Sequence, residues 1–233
     1  CTGGYDGKGV QILKNVNDLD KAFDAPSVLE RLVNIKKEIS VIAARAQDGS
    51  VTAYPPVEME FNPEANLVEF LFSPADISKE VEKHAMQLAK DIIAKLDMVG
   101  ILAVEMFVTP DNEVVVNEVA PRPHNSGHQT IEGNETSQYD QLLRCLIGMP
   151  LGSTDITIPS VMVNLLGEKG YVGAAKYEGI EKVMATAGVN VHLYGKSDTK
   201  PFRKMGHVTI VDKDLSKAKE KARFVKDTLK IIA

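Results

Sequence analysis

The chain of 233 residues is 44% hydrophobic, 25% charged and 6% aromatic, which is typical of folded globular proteins and excludes disordered and fibrous classes. With 27 basic against 32 acidic side chains the formal charge is −5, so no overall positive field favours nucleic acid or an anionic membrane. Two cysteines, Cys1 and Cys145, exclude a disulfide-rich scaffold, and every aliphatic stretch is too short to span a bilayer. We therefore expect a cytoplasmic protein with neither nucleic-acid nor membrane partners.

The sequence of the first third of the chain predicts mainly extended segments. Residues 10–13 are predicted to form a strand, Asn17 is a suitable cap for a short helix that runs to Phe23, and residues 27–30 begin another extended segment. A Gln-Asp-Gly-Ser turn at 47–50 joins two strands in a hairpin. The strands predicted from there on are 38–45, 51–54, 57–61 and 67–72.

Three further helices accompany a second group of strands. Apolar residues recur at helical spacing behind Ser78 and stop before Gly100, which predicts a long amphipathic helix against the sheet. A second helix has Thr136 as its predicted N-cap, and its inward face would carry Tyr139, Leu142, Leu143 and Leu146. The last elements are strands at 160–166, 189–194 and 207–211 and a helix from Ser216 with Ala218, Ala222, Val225 and Leu229 inward. Strands grouped before helices indicate an α+β fold with an antiparallel sheet.

Four glycines within seven residues mark the opening of the chain. Their backbone amides can approach a ligand closely and, beside a lysine, form a concavity for anions such as phosphate groups. The spacing fits neither the P-loop nor the Rossmann pattern, and a flexible turn is the alternative interpretation. The segment consists of Gly3, Gly4, Tyr5, Asp6, Gly7, Lys8 and Gly9.

A predicted hairpin between residues 101 and 118 places two glutamates side by side. If Asp111 and Asn112 are the central residues of its turn, Glu105 and Glu118 lie opposite each other on one face. Like charges at such positions repel, so a cation is expected between them, and Mg²⁺ completed by phosphate oxygens and water suits this need. The alternatives are a solvated rim or a bulge that shifts the register by one.

The loop after this hairpin is rich in groups that bind anions or metals. Arg122 can hold an oxyanion through two hydrogen bonds. His124 and His128 have the spacing of zinc ligands, but Pro123 and Gly127 argue against a regular helix, and no cysteine completes a zinc set. A structural, hydrogen-bonded role for either histidine is the alternative.

A local basic cluster near the C-terminus stands out in this acidic chain. Its charge suits a phosphate or another small anion, and a solvated loop is the alternative interpretation. The cluster comprises Lys196, Lys200, Arg203, Lys204 and His207.

Several strings in this order closely resemble the N5-carboxyaminoimidazole ribonucleotide synthase family of ATP-grasp enzymes. The strings are GGYDGKG, VLERLVNIKKEISVIAAR, VEMFVTPDNEVVVNEVAPRPHNSGH, TSQYDQLLRCLIGMPLG, PSVMVNLLG and FRKMGH. The resemblance covers nearly the whole chain. It implies the ATP-grasp fold with a small C-terminal subdomain, and an ATP-dependent carbon-nitrogen ligase of purine biosynthesis.

The resemblance also implies the reaction and its ligands. ATP phosphorylates bicarbonate to carboxyphosphate, and the amine of 5-aminoimidazole ribonucleotide takes its carbon to give the N5-carboxy product, ADP and phosphate. The implied cofactors are ATP and Mg²⁺, with Mn²⁺ as a substitute, and the implied assembly is a homodimer.

Residue roles follow from the same resemblance. The nucleotide would be held by Gly3, Gly4, Gly7, Lys8, Gly9, Glu30 beside the adenine, Glu38 on the ribose hydroxyls, and Asn117. Metal ligands would be Glu105 and Glu118, and catalytic residues near the carboxyl group Arg122, His124 and Lys204. The aminoimidazole ribonucleotide would be held by Tyr5, Asp6, Lys196, Arg203 and Lys204. Lys200 stands where arginine is expected in the family, so its role stays open.

The resemblance predicts three segments: a remnant of the lid at 1–29, the ATP-grasp core at 30–165 and the C-terminal subdomain at 166–233. The family carries an N-terminal domain that this chain lacks, so we expect weak ATP binding and little turnover from it alone. The alternatives are a non-catalytic dimerising fragment and another ATP-grasp carboxylate-amine ligase.

Overall fold

The computed structural model describes residues 9–62 and 67–233, and nine of its strands form one antiparallel sheet. The order across the sheet is β10-β12-β7-β4-β3-β1-β5-β6, and β2 pairs with β1. These nine strands are β1 (Lys37–Arg45), β2 (Val51–Ala53), β3 (Val57–Asn62), β4 (Leu67–Ser73), β5 (Gly100–Val108), β6 (Val114–Ala120), β7 (Ser160–Leu166), β10 (Val189–Leu193) and β12 (Lys204–Val211). The α+β class and the antiparallel sheet are thereby confirmed.

Short pairs and helices complete the described chain. Two small ladders join β8 (Gly173–Ala174) to β11 (Asp198–Thr199) and β9 (Lys176–Glu178) to β13 (Lys230–Ile232). The helices are α1 (Lys79–Lys95), α2 (Thr130–Gly133), α3 (Gln138–Ile147), α4 (Ile180–Met184) and α5 (Leu215–Thr228), with 3₁₀ turns at Val16–Lys21 and Asn125–Gly127. None of the helices in the described ranges has both the length and the apolar composition of a membrane span.

The two longest helices cover the same face of the sheet. Ile39 of β1 packs in the cluster of α1, and the register carries this face through Glu58 and Phe72 to Val161. Val161 in turn packs in the cluster of α5. The inward residues of these helices are Val81, Ala85, Ala89 and Ile93 of α1 and Ala218, Ala222 and Val225 of α5.

The opposite face, which we call the polar face, carries Glu38, Ser40, Glu105, Asn164 and His207. Ser40 lies opposite Glu105, and Asn164 lies opposite His207, as the strand register requires. The segment 121–137 crosses this face and α3 packs beside it. The sheet thus brings residues from both ends of the chain to one surface.

The N-terminal part differs from the prediction. Among the described residues before β1, 10–13 is not a strand, the segment 27–30 forms no regular element, and the short helix is a 3₁₀ turn capped by Asn15 instead of Asn17. The apolar side chains here stay exposed, Leu29 at 89%. A strand forms only where a neighbouring strand accepts its backbone hydrogen bonds, and these segments have none in the described structure.

Two helix starts also differ from the prediction. The hydroxyl of Ser137, not Thr136, caps α3 by accepting from the Asp140 amide. Helix α5 begins at Leu215 behind Asp214 rather than at Ser216. The predicted inward face of α5 is confirmed, and strands on both sides of residue 166 share the sheet. Of the positions predicted to face inward on α1, Val81 and Ala85 are buried, Leu88 and Ile92 are partly buried and Leu96 is exposed. The division into three segments stays a prediction.

Candidate functional site

The hairpin of β5 and β6 brings Glu105 and Glu118 opposite each other, as predicted. The register shifts between Glu105 and Met106, where Asn117 is the additional residue of β6. In such a bulge two residues of one strand oppose a single residue of the other, so Asn117 and Glu118 together face Glu105. Glu118 is exposed and Glu105 half-buried, and this arrangement places two carboxylates and an amide at the edge of the polar face.

The turn that was expected to set this register is different. The Thr109 amide donates to the Glu113 carbonyl at 3.0 Å, which leaves a three-residue loop from Pro110 to Asn112. Asn112 takes a left-handed conformation with φ of 63°, as the last residue of such loops does. The loop shifts the register by one residue and the bulge at Asn117 shifts it back. The prediction of the glutamate pair is therefore confirmed, although its two-residue turn is wrong.

His124 connects the carboxylate pair to the sheet. Its Nε2 lies 3.4 Å from Oε1 of Glu105. Its Nδ1 accepts from the Ser126 amide at 3.4 Å and lies 2.9 Å from the Ser126 hydroxyl, which is 2.8 Å from the buried Ser40 hydroxyl. Because Nδ1 accepts, the proton of neutral His124 is on Nε2, toward Glu105.

Gln138, the first residue of α3, holds the loop of His124 in place. The Gln138 side chain is fully buried. Its Oε1 accepts from the His124 amide at 2.9 Å, and its Nε2 donates to the His124 carbonyl at 2.9 Å. The same Nε2 lies 3.2 Å from Nδ1 of His128. One side chain therefore fixes the backbone of one histidine and the ring of the other.

Three imidazole rings form a stack between this loop and strands β12 and β10. His128 stacks on His207 at 4.4 Å between ring centres, and His207 stacks on His192 at 4.5 Å. Burial lowers the pKa of His128 to about 4, with smaller contributions from positive charge on neighbours that include His124 and Lys204. Burial likewise lowers the pKa of His207 to about 3. Both rings are neutral at pH 7.

The basic cluster adjoins this stack. The Tyr194 hydroxyl lies 3.0 Å from Nδ1 of His207, and Nζ of Lys196 is 5.8 Å from the Tyr194 ring centre. Nζ of Lys196 donates to the Lys204 carbonyl at 2.5 Å. Burial lowers the pKa of Lys196, and the positive charges of Arg203 and Lys204 lower it further. Cations held close together at a half-buried position favour an anion between them.

The other predicted site residues belong neither to the glutamate pair nor to the basic cluster. Glu38 lies on the polar face, where burial raises the pKa of its carboxyl, and no described residue forms a hydrogen bond with its side chain. Arg122 is exposed and donates to the Pro123 carbonyl at 3.0 Å. Glu30 is exposed ahead of β1, and Gly9 is in a turn. The predicted ligands Gly3, Gly4, Tyr5, Asp6, Gly7 and Lys8 lie outside the described residues.

Zinc binding by His124 and His128 finds no support in the side-chain environment. Nδ1 of His128 is occupied by Gln138 and by the Tyr139 hydroxyl at 3.0 Å. Across residues 9–62 and 67–233, no three histidine, cysteine or acidic side chains lie together as a protein zinc site would require.

The sequence reasoning missed Gln138 and the two serines that support His124. The predicted inward face of α3 was its apolar side, yet Gln138, Gln141 and Cys145 are the buried residues, whereas Leu143 and Leu146 are exposed. A signal existed, because the three buried positions also recur at helical spacing. The buried glutamines of α3 form hydrogen bonds with neighbouring loops, Gln138 with His124 and Gln141 with Gly152.

Comparisons with known proteins show the family of the chain. A family model described as the ATP-grasp domain matches residues 1–139, and one described as the phosphoribosylaminoimidazole carboxylase C-terminal domain matches residues 160–221. The N5-carboxyaminoimidazole ribonucleotide synthase of Bacillus subtilis is 40% identical over 216 residues, which are 91% of this chain and 54% of that protein. The chain thus spans about half the length of that relative.

Solved structures give the same result. The N5-carboxyaminoimidazole ribonucleotide synthetase of Thermotoga maritima is 45% identical with a TM-score of 0.88, covering 94% of this chain and 59% of that chain. An Aspergillus clavatus N5-carboxyaminoimidazole synthase in complex with ADP and 5-aminoimidazole ribonucleotide is 32% identical with a TM-score of 0.77, covering 84% of this chain and 52% of that chain. The similarity therefore includes both segments matched by the family models.

Proposed function

Because the chain belongs to the ATP-grasp family, we propose that it is part of an N5-carboxyaminoimidazole ribonucleotide synthase, an ATP-dependent carbon-nitrogen ligase. The observation that carries this proposal is the pairing of Glu105 and Glu118 beside His124, on the sheet face that also meets the basic cluster. The relatives at 40% and 45% identity bear that name, which supports the substrate assignment.

The nucleotide and its metal ion occupy the edge of the polar face. Glu38, half-buried and without a described hydrogen-bond partner, accepts from the ribose hydroxyls of ATP. Glu105 and Glu118, with Asn117 beside them, supply oxygen ligands that suit Mg²⁺ or Mn²⁺. When bound, this ion neutralises charge on the phosphates during transfer. Glu30 binds beside the adenine, and Gly9 ends the glycine-rich segment expected to bind the phosphates, of which residues 3–8 lie outside the described structure.

The carboxyl group is activated and transferred next to His124. A bicarbonate oxygen attacks the terminal phosphorus of ATP, so the bond to ADP breaks and carboxyphosphate forms. The amine of 5-aminoimidazole ribonucleotide then attacks the carbon, phosphate leaves, and the amine loses a proton. Arg122, His124 and Lys204 stabilise the negative charge that develops on the carboxyl oxygens.

The ribonucleotide binds at the basic cluster. Lys196, Arg203 and Lys204 hold its phosphate and the incoming carboxyl group. The pKa of Lys196, lowered by burial and then by the charges of Arg203 and Lys204, supports an anion site there. Tyr5 and Asp6 complete the site for the aminoimidazole. The assembly proposed is a homodimer.

The first experiment is a calorimetric titration of the purified protein with a non-hydrolysable ATP analogue and Mg²⁺. The double variant Glu105→Gln with Glu118→Gln keeps the side-chain shape but removes both charges. We expect Mg²⁺-dependent binding to weaken by about tenfold or more, which corresponds to ~1.4 kcal/mol. Glu113→Gln, an exposed glutamate of the same hairpin, is the matched control and should bind as the native protein does.

Substrate dependence then identifies the ligase. Phosphate release from ATP should require both bicarbonate and 5-aminoimidazole ribonucleotide. Release with another carboxylate-amine pair would instead assign a different ATP-grasp ligase. Equal nucleotide binding by the native protein and the double variant would contradict the placement of the metal site.

A further inference from the structure

The orientation of the Gln138 amide is determined by its neighbours. The His124 amide donates to Oε1 of Gln138 at 2.9 Å, and the His124 carbonyl accepts from Nε2 at 2.9 Å. If the amide were flipped, its NH₂ group would face the His124 amide N–H and its oxygen would face the His124 carbonyl. Because Gln138 is fully buried, no water would relieve either clash. Nε2 of Gln138 is therefore the atom that lies 3.2 Å from Nδ1 of His128.

This orientation determines the protonation of His128. An amide nitrogen has hydrogens and no lone pair to accept a bond, so Nδ1 of His128 must be the acceptor. The Tyr139 hydroxyl, 3.0 Å away, donates to the same atom. The single proton of the neutral ring is then on Nε2, to which no described residue forms a hydrogen bond. Adding a proton at Nδ1 would set two N–H groups against each other.

The ring of His128 lies between the two groups of the proposed site. Gln138 connects the His128 ring to the backbone of His124, and the ring of His124 contacts Glu105. On its other side His128 stacks on His207, and Tyr194 connects His207 to Lys196. These contacts place a neutral donor between the carboxylate edge and the basic cluster.

We propose that Gln138 is a positioning residue that holds His128 in the Nε2–H tautomer, and that His128 donates this hydrogen to an oxygen of the bound anion. The inference rests on the proposed function for the identity of the anion, which is either the carboxyl group or the phosphate of the ribonucleotide. A neutral donor binds an oxyanion without adding a charge to the cations of the basic cluster. The tautomer itself follows from the geometry alone.

The first test is the nitrogen spectrum of the histidine side chains in ¹⁵N-labelled protein. His128→Gln identifies the signals of His128 by their loss. We expect an unprotonated Nδ1 and a protonated Nε2 in the native protein at neutral pH. In Gln138→Glu the new carboxylate accepts a hydrogen bond, so the proton should appear on Nδ1. A native ring with its proton on Nδ1, or a variant with an unchanged pattern, would overturn the assignment to Gln138.

The second test is the rate with each substrate in two His128 variants of the full-length protein. The amide nitrogen of glutamine reaches the place of Nε2, whereas that of asparagine reaches only the place of Nδ1. His128→Asn should therefore lower kcat/KM by about 10- to 100-fold, the usual effect of a lost hydrogen bond to a charged group, and His128→Gln should restore much of it. A raised KM for bicarbonate assigns the donor to the carboxyl group, and a raised KM for the ribonucleotide assigns it to the phosphate. Equal rates for both variants would refute the donor role.

His84→Gln is the control, because His84 is an exposed residue of α1 on the other side of the sheet, and its rate should be that of the native protein. The two tests fail independently. The tautomer is read without turnover, so its failure would overturn the positioning by Gln138 and leave the proposed function intact, whereas a full-length protein that has the tautomer but does not need bicarbonate and 5-aminoimidazole ribonucleotide for phosphate release would contradict the proposed function alone.

Discussion

At the scale of single residues, Gly127 is where the loop of the two histidines comes closest to the sheet. A Cβ atom at this position would overlap Cδ1 of Ile42 and lie 2.5 Å from Oε1 of Gln138. The backbone here is not left-handed, so space alone demands glycine. The absence of one methyl group allows the Gln138 amide to reach His124 and His128.

We expect Gly127→Ala to lower the free energy of unfolding by about 1–3 kcal/mol, the usual cost of overpacking. Because Gln138 must move, the substitution should also change the ring environment of His128. Denaturant unfolding and the histidine nitrogen spectrum measure the two effects. Gly170→Ala is a useful comparison, since Gly170 has a φ of +87° but no atom within 4 Å of the added methyl. A change in the His128 signals in the Gly170 variant as well would contradict the local explanation.

At the scale of elements, the β5–β6 hairpin shows what a pattern can and cannot predict. Two apolar runs on either side of a turn predicted both strands, and the pairing of Glu105 with Glu118 followed from counting across the turn. The count was correct only because two shifts of one residue cancel, one in the loop ending at Asn112 and one at Asn117. A bulge depends on the twist between paired strands, which one strand's sequence does not encode.

The start of α3 is the second element that the site depends on. Ser137 accepts a hydrogen bond from the Asp140 amide at 3.1 Å and thereby caps the helix, whose first residue is Gln138. The wrong prediction of Thr136 as cap has a physical cause, because both residues are suitable caps and only packing distinguishes them. Thr136 is buried instead, and its carbonyl accepts from the Tyr54 hydroxyl at 3.0 Å.

Ser137→Ala should cost about 1 kcal/mol of unfolding free energy, because the first turn of α3 loses its side-chain cap. Fraying of that turn should also loosen the Gln138 contacts and lower the rate with bicarbonate. The matched control is Ser216→Ala in the first turn of α5, where Asp214 supplies the cap and the serine hydroxyl does not. Urea unfolding of both variants measures the difference, and equal losses would contradict the capping role of Ser137.

At the scale of the whole molecule, one sheet brings together groups that are far apart in the sequence. Glu38 of β1, Glu105 of β5 and His207 of β12 share the polar face because the strand order places β1 and β12 on either side of β3, β4 and β7. Local patterns predict the strands but not their order, which depends on long-range packing. For this reason the basic cluster and the carboxylate pair were each predicted, while the histidine stack that joins them was not.

The same stack should make the stability of the molecule depend on pH. In the folded state the pKa of His128 is about 4 and that of His207 about 3, both below the unfolded value of 6.5. Between those values the unfolded chain binds more protons than the folded one, so the free energy of unfolding falls as the pH falls below 6.5. The loss is at most about 1.4 kcal/mol per pH unit for each histidine.

Denaturant unfolding between pH 7 and 5 measures how steeply the free energy of unfolding falls with pH. This slope should be shallower for His207→Leu than for the native protein. His84→Gln removes an exposed histidine and should leave the slope unchanged. Parallel slopes for the native protein and His207→Leu would contradict the neutral state of the buried ring.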